Sequence, residues 1–476
     1  MDNKNTLPIS SALIPLIILI ILLAYNVFIF GDNALSGSNQ FILLIGAAIA
    51  AIVGFYYKIT YKKMLNKVSD NFKSVAGAIL ILLFVGALAG TWLVSGIIPA
   101  MIYYGLKIIH PTIFLPSCIL ICAIISLATG SSWTTSATVG IALIGIGKAL
   151  GLPPGMIAGA VISGAYFGDK LSPLSDTTNL APAMAGGDLF RHIKYMTLTT
   201  VPSISITLLV FLTLGFFQDQ KGAADIAELL NEIEATFNIN FYLFIVPAFV
   251  IFMIAKKSPP LIALLSGTIL GAIFALFFQP DVILFLSGDQ TYTFSSAYKG
   301  ILNSMTISSQ IETENKLLYD LFSSGGMKGM LDTIWLIFCA MVFGGVMDAI
   351  GALSSITNAL LNWARNTFQL FASTVATCLA INLTASDQYL AIVIPGKMFS
   401  KAYKDRKLAP ENLSRTLEDS GTVTSALIPW NTCGAYQSSV LNVGVGEYFI
   451  YAIFNWISPF MTLLYAAFKI KIRQLK

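Results

Sequence analysis

Gly168-Asp-Lys-Leu-Ser-Pro-Leu-Ser-Asp-Thr-Thr-Asn179 sets three charged residues, four hydroxyl side chains and a proline inside an apolar run from about 155 to about 186. An ionised side chain at the centre of a bilayer costs about 2.5–3.5 kcal/mol even on lenient insertion scales, and such residues mark ion or substrate paths. Pro173 carries no backbone N–H and forbids a continuous helix at that point. Non-helical backbone at membrane depth is tolerated only where it is buried in protein or lines a wet cavity. The stretch reads as a membrane helix broken at a polar site.

The rest of the chain fits that reading. Hydrophobic residues make up 56% and charged residues 11%, against about 45–50% and about 25% in soluble domains, so an ordinary soluble protein is excluded. At about 20 apolar residues per crossing, spanning segments fall near 8–30, 41–57, 75–98, 155–186, 196–217, 239–255, 259–279, 331–351, 408–440 and 447–468. The first run lacks a basic leader and a small-residue exit, so it is read as a span rather than a signal peptide.

Two further apolar regions, 112–150 and 369–405, are interrupted by small polar clusters. Each fits two crossings, one crossing or a re-entrant hairpin. Charge decides, because Lys and Arg concentrate on the cytoplasmic side. With two hairpins and the N-terminus inside, Lys58, Lys62, Lys63, Lys67 and Lys73 lie inside, as do Arg191, Lys194, Lys256, Lys257 and Arg365. Lys401, Lys404, Arg406, Lys407 and the tail Lys469, Lys471, Arg473 and Lys476 join them. The lysine-free loop 31–40 and the acidic residues Asp219, Asp225, Glu228, Glu232 and Glu234 lie outside. The expectation is ten crossings, with both termini cytoplasmic.

An internal repeat organises these segments. Gly90, Gly96 and Thr129 recur as Gly345, Gly351 and Thr384, 255 positions later, and Pro154 and Pro173 as Pro410 and Pro429, 256 later. The amphipathic stretches 61–75 and 316–330 match as well. The expected fold is an all-α polytopic membrane protein of two repeats, 1–218 and 239–476, joined by a polar extramembrane linker at 219–238. Each repeat holds five crossings, one hairpin and one broken helix. Five is odd, so the repeats are inverted, the architecture of secondary carriers.

The polar residues then take roles. The first hairpin turns at Thr129-Gly-Ser-Ser-Trp-Thr-Thr135 and the second at Thr384-Ala-Ser-Asp-Gln-Tyr389; the second broken helix reads Ser425-Ala-Leu-Ile-Pro-Trp-Asn-Thr-Cys-Gly434. Each break should meet its own hairpin tip, giving one polar pocket per half. Freed carbonyls, hydroxyls and carboxylates form an oxygen cage suited to a hard cation. Asp169, Ser175, Asp176, Thr178 and Asn179 are its candidates in the first half, with Thr129 and Ser131 from the tip. Thr384, Ser386, Asp387, Asn431 and Thr432 are those of the second, with Trp430 and Tyr436 as possible lining. A carboxylate holds a proton or a sodium ion in one place, not both, which is a chemical basis for exchange.

Lys170 balances charge by pairing an aspartate, or holds a substrate carboxylate. Asp348 reads as a relay carboxylate or a solvated helix end, and Arg415 with Glu418 and Asp419 as an internal ion pair or a proton site. His110 and His192 lie near the expected interfaces, and the five cysteines read as packing thiols. No phosphate loop, nucleophile elbow or metalloprotease motif occurs in the sequence, so no cofactor, resident metal or nucleic acid is expected.

Gly168-Asp-Lys-Leu-Ser-Pro-Leu-Ser-Asp-Thr-Thr-Asn-Leu-Ala-Pro182 resembles the NhaC-type sodium/proton antiporter family. Gly90-Thr-Trp-Leu-Val-Ser-Gly-Ile-Ile-Pro99, Gly325-Gly-Met327 and Gly344-Gly-Val-Met347 are similar to that family too, and the match runs from about 65 to about 460. The resemblance implies a bacterial plasma-membrane carrier driven by ion gradients. It also implies the wider ion-transporter superfamily, in which a mobile domain with two hairpins slides against a dimerising scaffold, so a homodimer is expected. Members exchange sodium for protons, exchange organic acids such as malate against lactate, or move amino acids. The leading expectation is Na+/H+ antiport by alternating access. The alternative is a Na+- or H+-coupled carrier of an organic acid or amino acid. An intramembrane enzyme lacks a nucleophile–base pair, and a channel fits two dead-end hairpins poorly.

Overall fold

Eight helices among the described residues are each long and apolar enough to cross a membrane: Ile9–Phe30, Ser38–Tyr56, Tyr61–Val94, Pro111–Thr129, Leu189–Phe217, Pro260–Phe278, Gly326–Ala349 and Thr367–Thr384. The computed structural model describes residues 7–30, 34, 36–108, 110–217 and 223–475. A ninth span arises if Ile226–Thr236 and Phe241–Ala255, bent by 88° at their junction, are taken together. The protein is therefore a mostly helical, multi-pass membrane protein. The segments expected at 155–186 and 408–440 are not continuous spans, because both are broken. The last apolar helix, Ile453–Ala467, is only 15 residues long.

Both interrupted regions are helix–turn–helix units. Pro111–Thr129 turns at Gly130, which is left-handed at φ 70°, and the chain returns through Ser132–Thr135, a π-helical turn at Ser136–Gly140 and Ile141–Ala149. Thr367–Thr384 turns at Ser386, also left-handed at φ 59°, and returns as Gln388–Asp405. The broken helices sit beside them. Pro154–Leu171 stops at Ser172 and the chain resumes as Asp176–Ala185. Pro410–Leu417 passes into a π-helical turn, Glu418–Thr422, and a short 3₁₀ turn, Ser425–Leu427, before resuming as Thr432–Leu441.

Element boundaries recur along the chain. Tyr61–Val94 ends 255 positions before Gly326–Ala349 does, and Ile97–Ile108 has its counterpart in Ala352–Trp363 at the same spacing. From the N-caps His110 and Asn366 onward the spacing of helix starts is 256. It holds for Pro154 and Pro410, for the N-caps Ser175 and Asn431, and for the left-handed C-caps Gly186 and Asn442. The first arm of the second hairpin is one residue shorter than its counterpart, so it ends at a spacing of 255.

Two segments outside the motifs are folded as well. The linker 219–238 contains a helix, Ala223–Thr236, that buries Leu229 and Ile233 and ties Glu234 to the Tyr103 hydroxyl; Asp219 and the Asp225 side chain lie outside the described residues. Residues 280–330 carry helices Pro280–Ser287 and Phe294–Thr306 and a two-residue antiparallel ribbon pairing Ser309–Gln310 with Ser323–Ser324. Among the described residues this ribbon and one isolated bridge, Leu408 with Gln474, are the only strand pairing.

Packing follows from small residues. The hairpin arm Pro111–Thr129 lies against Pro154–Leu171 so closely that a Cβ on Gly164 would meet the Ile119 carbonyl oxygen at 2.3 Å, and one on Gly168 the Ala123 carbonyl oxygen at 2.3 Å. Glycine lets the two backbones touch, the usual device where lipid supplies no hydrophobic drive between helices. A second set, Tyr61–Val94 with Pro260–Phe278 and Gly326–Ala349, forms its own packed group. Asp348, read as a relay carboxylate or a solvated helix end, pairs with Lys67 at 2.8 Å, joining Tyr61–Val94 to Gly326–Ala349 at that group's edge.

Gly164→Leu should overpack the first contact by about 1–3 kcal/mol. A lower melting temperature of the detergent-purified protein, or loss of folded yield, is expected. An unchanged melting temperature contradicts the packing.

Candidate functional site

Each helix break is stapled to the tip of its own hairpin. In the first half, Gly130 rests on the backbone of Leu174 and Ser175. Ser131 caps the returning helix, its hydroxyl accepting from the Thr134 N–H at 3.1 Å. Ser132 donates to Asp169 Oδ2 from its backbone N–H at 3.2 Å and its hydroxyl at 2.8 Å. In the second half, the Thr432 N–H donates to the Ser386 carbonyl at 3.0 Å, and Trp430 Nε1 to the Leu383 carbonyl at 2.9 Å.

Several expected ligands are taken up in holding the breaks. The Thr178 hydroxyl donates to the freed carbonyls of Asp169 and Lys170 at 3.2 and 3.1 Å. Asn179 Nδ2 donates to those of Pro173 and Ser175 at 2.9 and 2.7 Å. Asn431 caps Thr432–Leu441, accepting from the Cys433 N–H at 3.0 Å, and donates to Asn382. Thr384 donates back to the Ala380 carbonyl at 2.7 Å. These four, with Ser386 and Lys170, are not among the residues lining the cavity described next.

Seven expected residues do line it together: Thr129, Ser131, Asp169, Ser175, Asp176, Asp387 and Thr432. The arrangement differs from one pocket per half. Both tips and both breaks open on a single cavity of about 540 Å³. The spacing argument treated the halves separately and had no means of placing one tip against the other. Asp169 is 8% exposed and Asp387 5%, whereas Asp176 is exposed at the first position of its helix. Asp169 Oδ1 has no hydrogen-bond partner among the described residues, leaving one carboxylate oxygen uncommitted. Asp387 Oδ1 caps Gln388–Asp405 by accepting from the Leu390 N–H at 2.9 Å. Beyond the hairpins, Ser74 and Gly77 of the long helix and Lys257 and Ser258 of the loop before Pro260 complete the wall.

Trp430 and Tyr436 do not line the cavity. Tyr436 is buried, stacks on Trp133 with ring centroids 4.0 Å apart, and donates its hydroxyl to the Trp133 carbonyl at 3.0 Å, locking one half to the other. That contact spans 303 positions and no local signal predicts it.

Lys170 finds its partner across the halves. Its ammonium bonds Asp419 rather than Asp169 or Asp176, and both partners are fully buried. The other Asp419 oxygen accepts from the hydroxyls of Thr199, at 2.9 Å, and Thr462. Such an arrangement meets the requirement that a buried ion pair have its remaining lone pairs satisfied. Arg415 does not pair with Glu418; its guanidinium lies over the Tyr195 ring at 4.5 Å. His192, expected near an interface, is buried with Nδ1 2.7 Å from the Ser414 hydroxyl, and His110 caps Pro111–Thr129. All five cysteines are buried and free, and no cluster of metal-ligating side chains occurs among the described residues.

Comparison with known proteins agrees with this chemistry. Residues 164–470 match the model of the Na+/H+ antiporter family. The Na(+)/H(+) antiporter NhaC of Alkalihalophilus pseudofirmus is 37% identical, the alignment covering 89% of this chain and 88% of the relative. The malate-2H(+)/Na(+)-lactate antiporter of Bacillus subtilis is 35% identical over 88% and 86% of the two chains. The arginine/ornithine antiporter ArcD of Halobacterium salinarum is 32% identical over 97% and 92%. With both helix breaks and the second hairpin inside the matched region and that identity along most of its length, the chain belongs to the Na+/H+ antiporter family.

Proposed function

We propose that this antiporter exchanges Na+ for H+ at Asp169, in the cavity shared by the two hairpin tips, by alternating access. The observation that carries the reading is the convergence of two buried carboxylates, Asp169 and Asp387, on one cavity with hydroxyls of Thr129, Ser131, Ser175 and Thr432. Oxygen donors suit a hard cation, and Asp169 keeps one oxygen free for it. When Na+ leaves, a proton takes its place and removes the cost of an unpaired charge at membrane depth. Asp176, exposed at the cavity wall, is placed to receive the ion first.

The recurring element boundaries support two inverted repeats, each of five crossings and a hairpin, with both termini cytoplasmic. On that topology Lys257 and Ser258 belong to a basic cytoplasmic loop, so the cavity opens inward. Elements carrying the tips and breaks then form the moving part. Tyr61–Val94, Pro260–Phe278 and Gly326–Ala349 form the part they move against, and dimerisation would place two such scaffolds together. The buried Lys170–Asp419 pair ties the two broken helices to each other, so both pass through the cycle as one body.

A second reading keeps one observation in its favour. The N-terminal ends of Asp176–Ala185, Gln388–Asp405 and Thr432–Leu441 meet at the cavity, and helix N-termini favour anionic groups. An organic carboxylate entering with Na+ is the corresponding activity, in keeping with the relatives named for malate, lactate and amino acids.

Purified protein in vesicles with an internal pH dye separates the two. Na+ alone is expected to drive proton movement; proton movement that requires an added organic acid or amino acid overturns simple antiport. Asp169→Asn should lower Na+-driven proton flux at least about 100-fold, as expected for loss of an essential titrating group, with normal membrane insertion. Asp176→Asn should also impair exchange, and full cation-coupled activity in either variant removes that residue from the site.

Lys170→Met leaves Asp419 buried without its cation and should cost about 3–5 kcal/mol, whereas Lys170→Met/Asp419→Leu removes both charges and should recover most of it. Thermal melts of the two variants check this. Equal losses would contradict the pairing.

A further inference from the structure

Four charged residues line the cavity: Asp169, Asp176 and Asp387 on the tips and breaks, and Lys257 on the part they move against. Lys257 is exposed, in the loop between Phe241–Ala255 and Pro260–Phe278. Among the described residues its ammonium has no ion pair and no hydrogen-bond partner. Lys256 beside it lies over the Phe252 ring at 5.7 Å and is not part of the wall. A free cation at the edge of a cavity built for cations has no role in the exchange as described so far.

The loop holds that charge in place. Lys257 closes a helix end with a left-handed backbone, φ 64°, a conformation that Gly and Asn adopt most readily. Its N–H donates to the Ile254 carbonyl at 2.8 Å, and the Ser258 N–H to the Met253 carbonyl at 3.0 Å. Pro259 and Pro260 then fix the chain. Pro260–Phe278 is tied in turn to Tyr61–Val94, where Trp92 Nε1 donates to the Gly267 carbonyl at 3.3 Å. Lys58, Lys407, Lys469 and Lys471 share the left-handed conformation, and a cation near a helix C-terminus suits the helix dipole. None of those four lines the cavity.

We propose that Lys257 is a coupling residue of the exchanger, a tethered cation that holds the unloaded moving part in the inward-open state. The proposal rests on the reading of Asp169 as the exchange site. With neither Na+ nor a proton on Asp169, the negative charge of the site shares a cavity with a fixed positive one, and carrying it away works against their attraction. Na+ or a proton on Asp169 cancels one of those charges and weakens the hold. Both occupants act alike, because each brings one positive charge. A ligand shifts a conformational equilibrium only through its differential interaction with the two states. Lys257 supplies that difference, since it stays with its own helices when the carboxylates move off. The loaded part then leaves more readily than the empty one, which keeps the exchanger from leaking Na+.

The test measures ²²Na+ efflux from vesicles holding the full-length protein, at alkaline pH and with the membrane potential clamped by K+ and valinomycin. Protons are then scarce, so the moving part returns either empty or with Na+. In the parent, external NaCl should speed efflux at least about tenfold over external choline chloride. In Lys257→Gln, efflux into choline should approach efflux into NaCl, while Lys257→Arg should keep the parental ratio. A parental ratio in Lys257→Gln overturns the proposal, and so does a Lys257→Arg ratio as low as that of Lys257→Gln. A parent indifferent to external Na+, or loss of Na+/Na+ exchange in a Lys257→Gln protein that melts like the parent, overturns it too. Asp169→Asn serves as the separate arm: parental exchange there sinks the cavity reading, whereas failure of the Lys257 arm by itself leaves that reading standing. Should Lys257→Gln fail to fold, Lys257→Cys with the five native cysteines replaced takes its place. Aminoethyl methanethiosulfonate, which restores an ammonium, should restore the ratio, and a neutral methyl reagent should not. Equal effects of the two reagents, or failure of this variant to fold as well, overturn the proposal.

Discussion

Inside hydrocarbon, a helix that stops leaves N–H and C=O groups with no water to satisfy them, and each such group costs several kcal/mol. This chain breaks two helices within its apolar segments and must supply partners for both ends of each gap. The hairpin tips are those partners. Thr432 reaches the Ser386 carbonyl, Trp430 the Leu383 carbonyl, and Ser132 the Asp169 carboxylate, while Thr178 and Asn179 close the first gap from within. With the gaps stapled, the remaining oxygens of Asp169 and Asp387 can face a cavity without unravelling the helices around them.

Much of this was legible locally because a membrane makes polar residues conspicuous. The Asp-Lys-x-Ser-Pro-x-Ser-Asp pattern located the first break, Pro429 located the second, and the interrupted apolar runs located both hairpins to within a few residues. Less legible were relations between distant segments. Lys170 had two aspartates close by in sequence, and the fold gave it a third, 249 positions away. The same limit explains the shared cavity and the stacking of Trp133 on Tyr436. Thr178 and Asn179 carried the right chemistry for ligands, and in the structure their donor groups bond the backbone of the gap. The Lys67–Asp348 and Tyr103–Glu234 contacts were out of local reach in the same way, because their partners come from different elements.

The division of charges bears on transport. Near the cavity, Asp169 and Asp387 are buried yet reachable; behind it, Lys170 and Asp419 neutralise each other with Thr199 and Thr462 completing the shell. In the proposed exchange the first pair changes its occupant and the second stays fixed, so the joint between the two broken helices keeps its shape. Aromatic stacking and close glycine contacts act in the same direction, making the tips and breaks one packed unit.

That the two tips meet at one cavity is the claim on which the mechanism stands, and cross-linking in native membranes addresses it directly. Ser131→Cys and Tyr389→Cys, combined in a background with the five buried native cysteines replaced, place one thiol on each tip at the cavity wall. A short bifunctional maleimide should join them within one chain, visible as a connected fragment after cleavage in the loop between the halves. Single-cysteine variants that label freely while the double variant never yields the joined fragment would contradict a shared cavity.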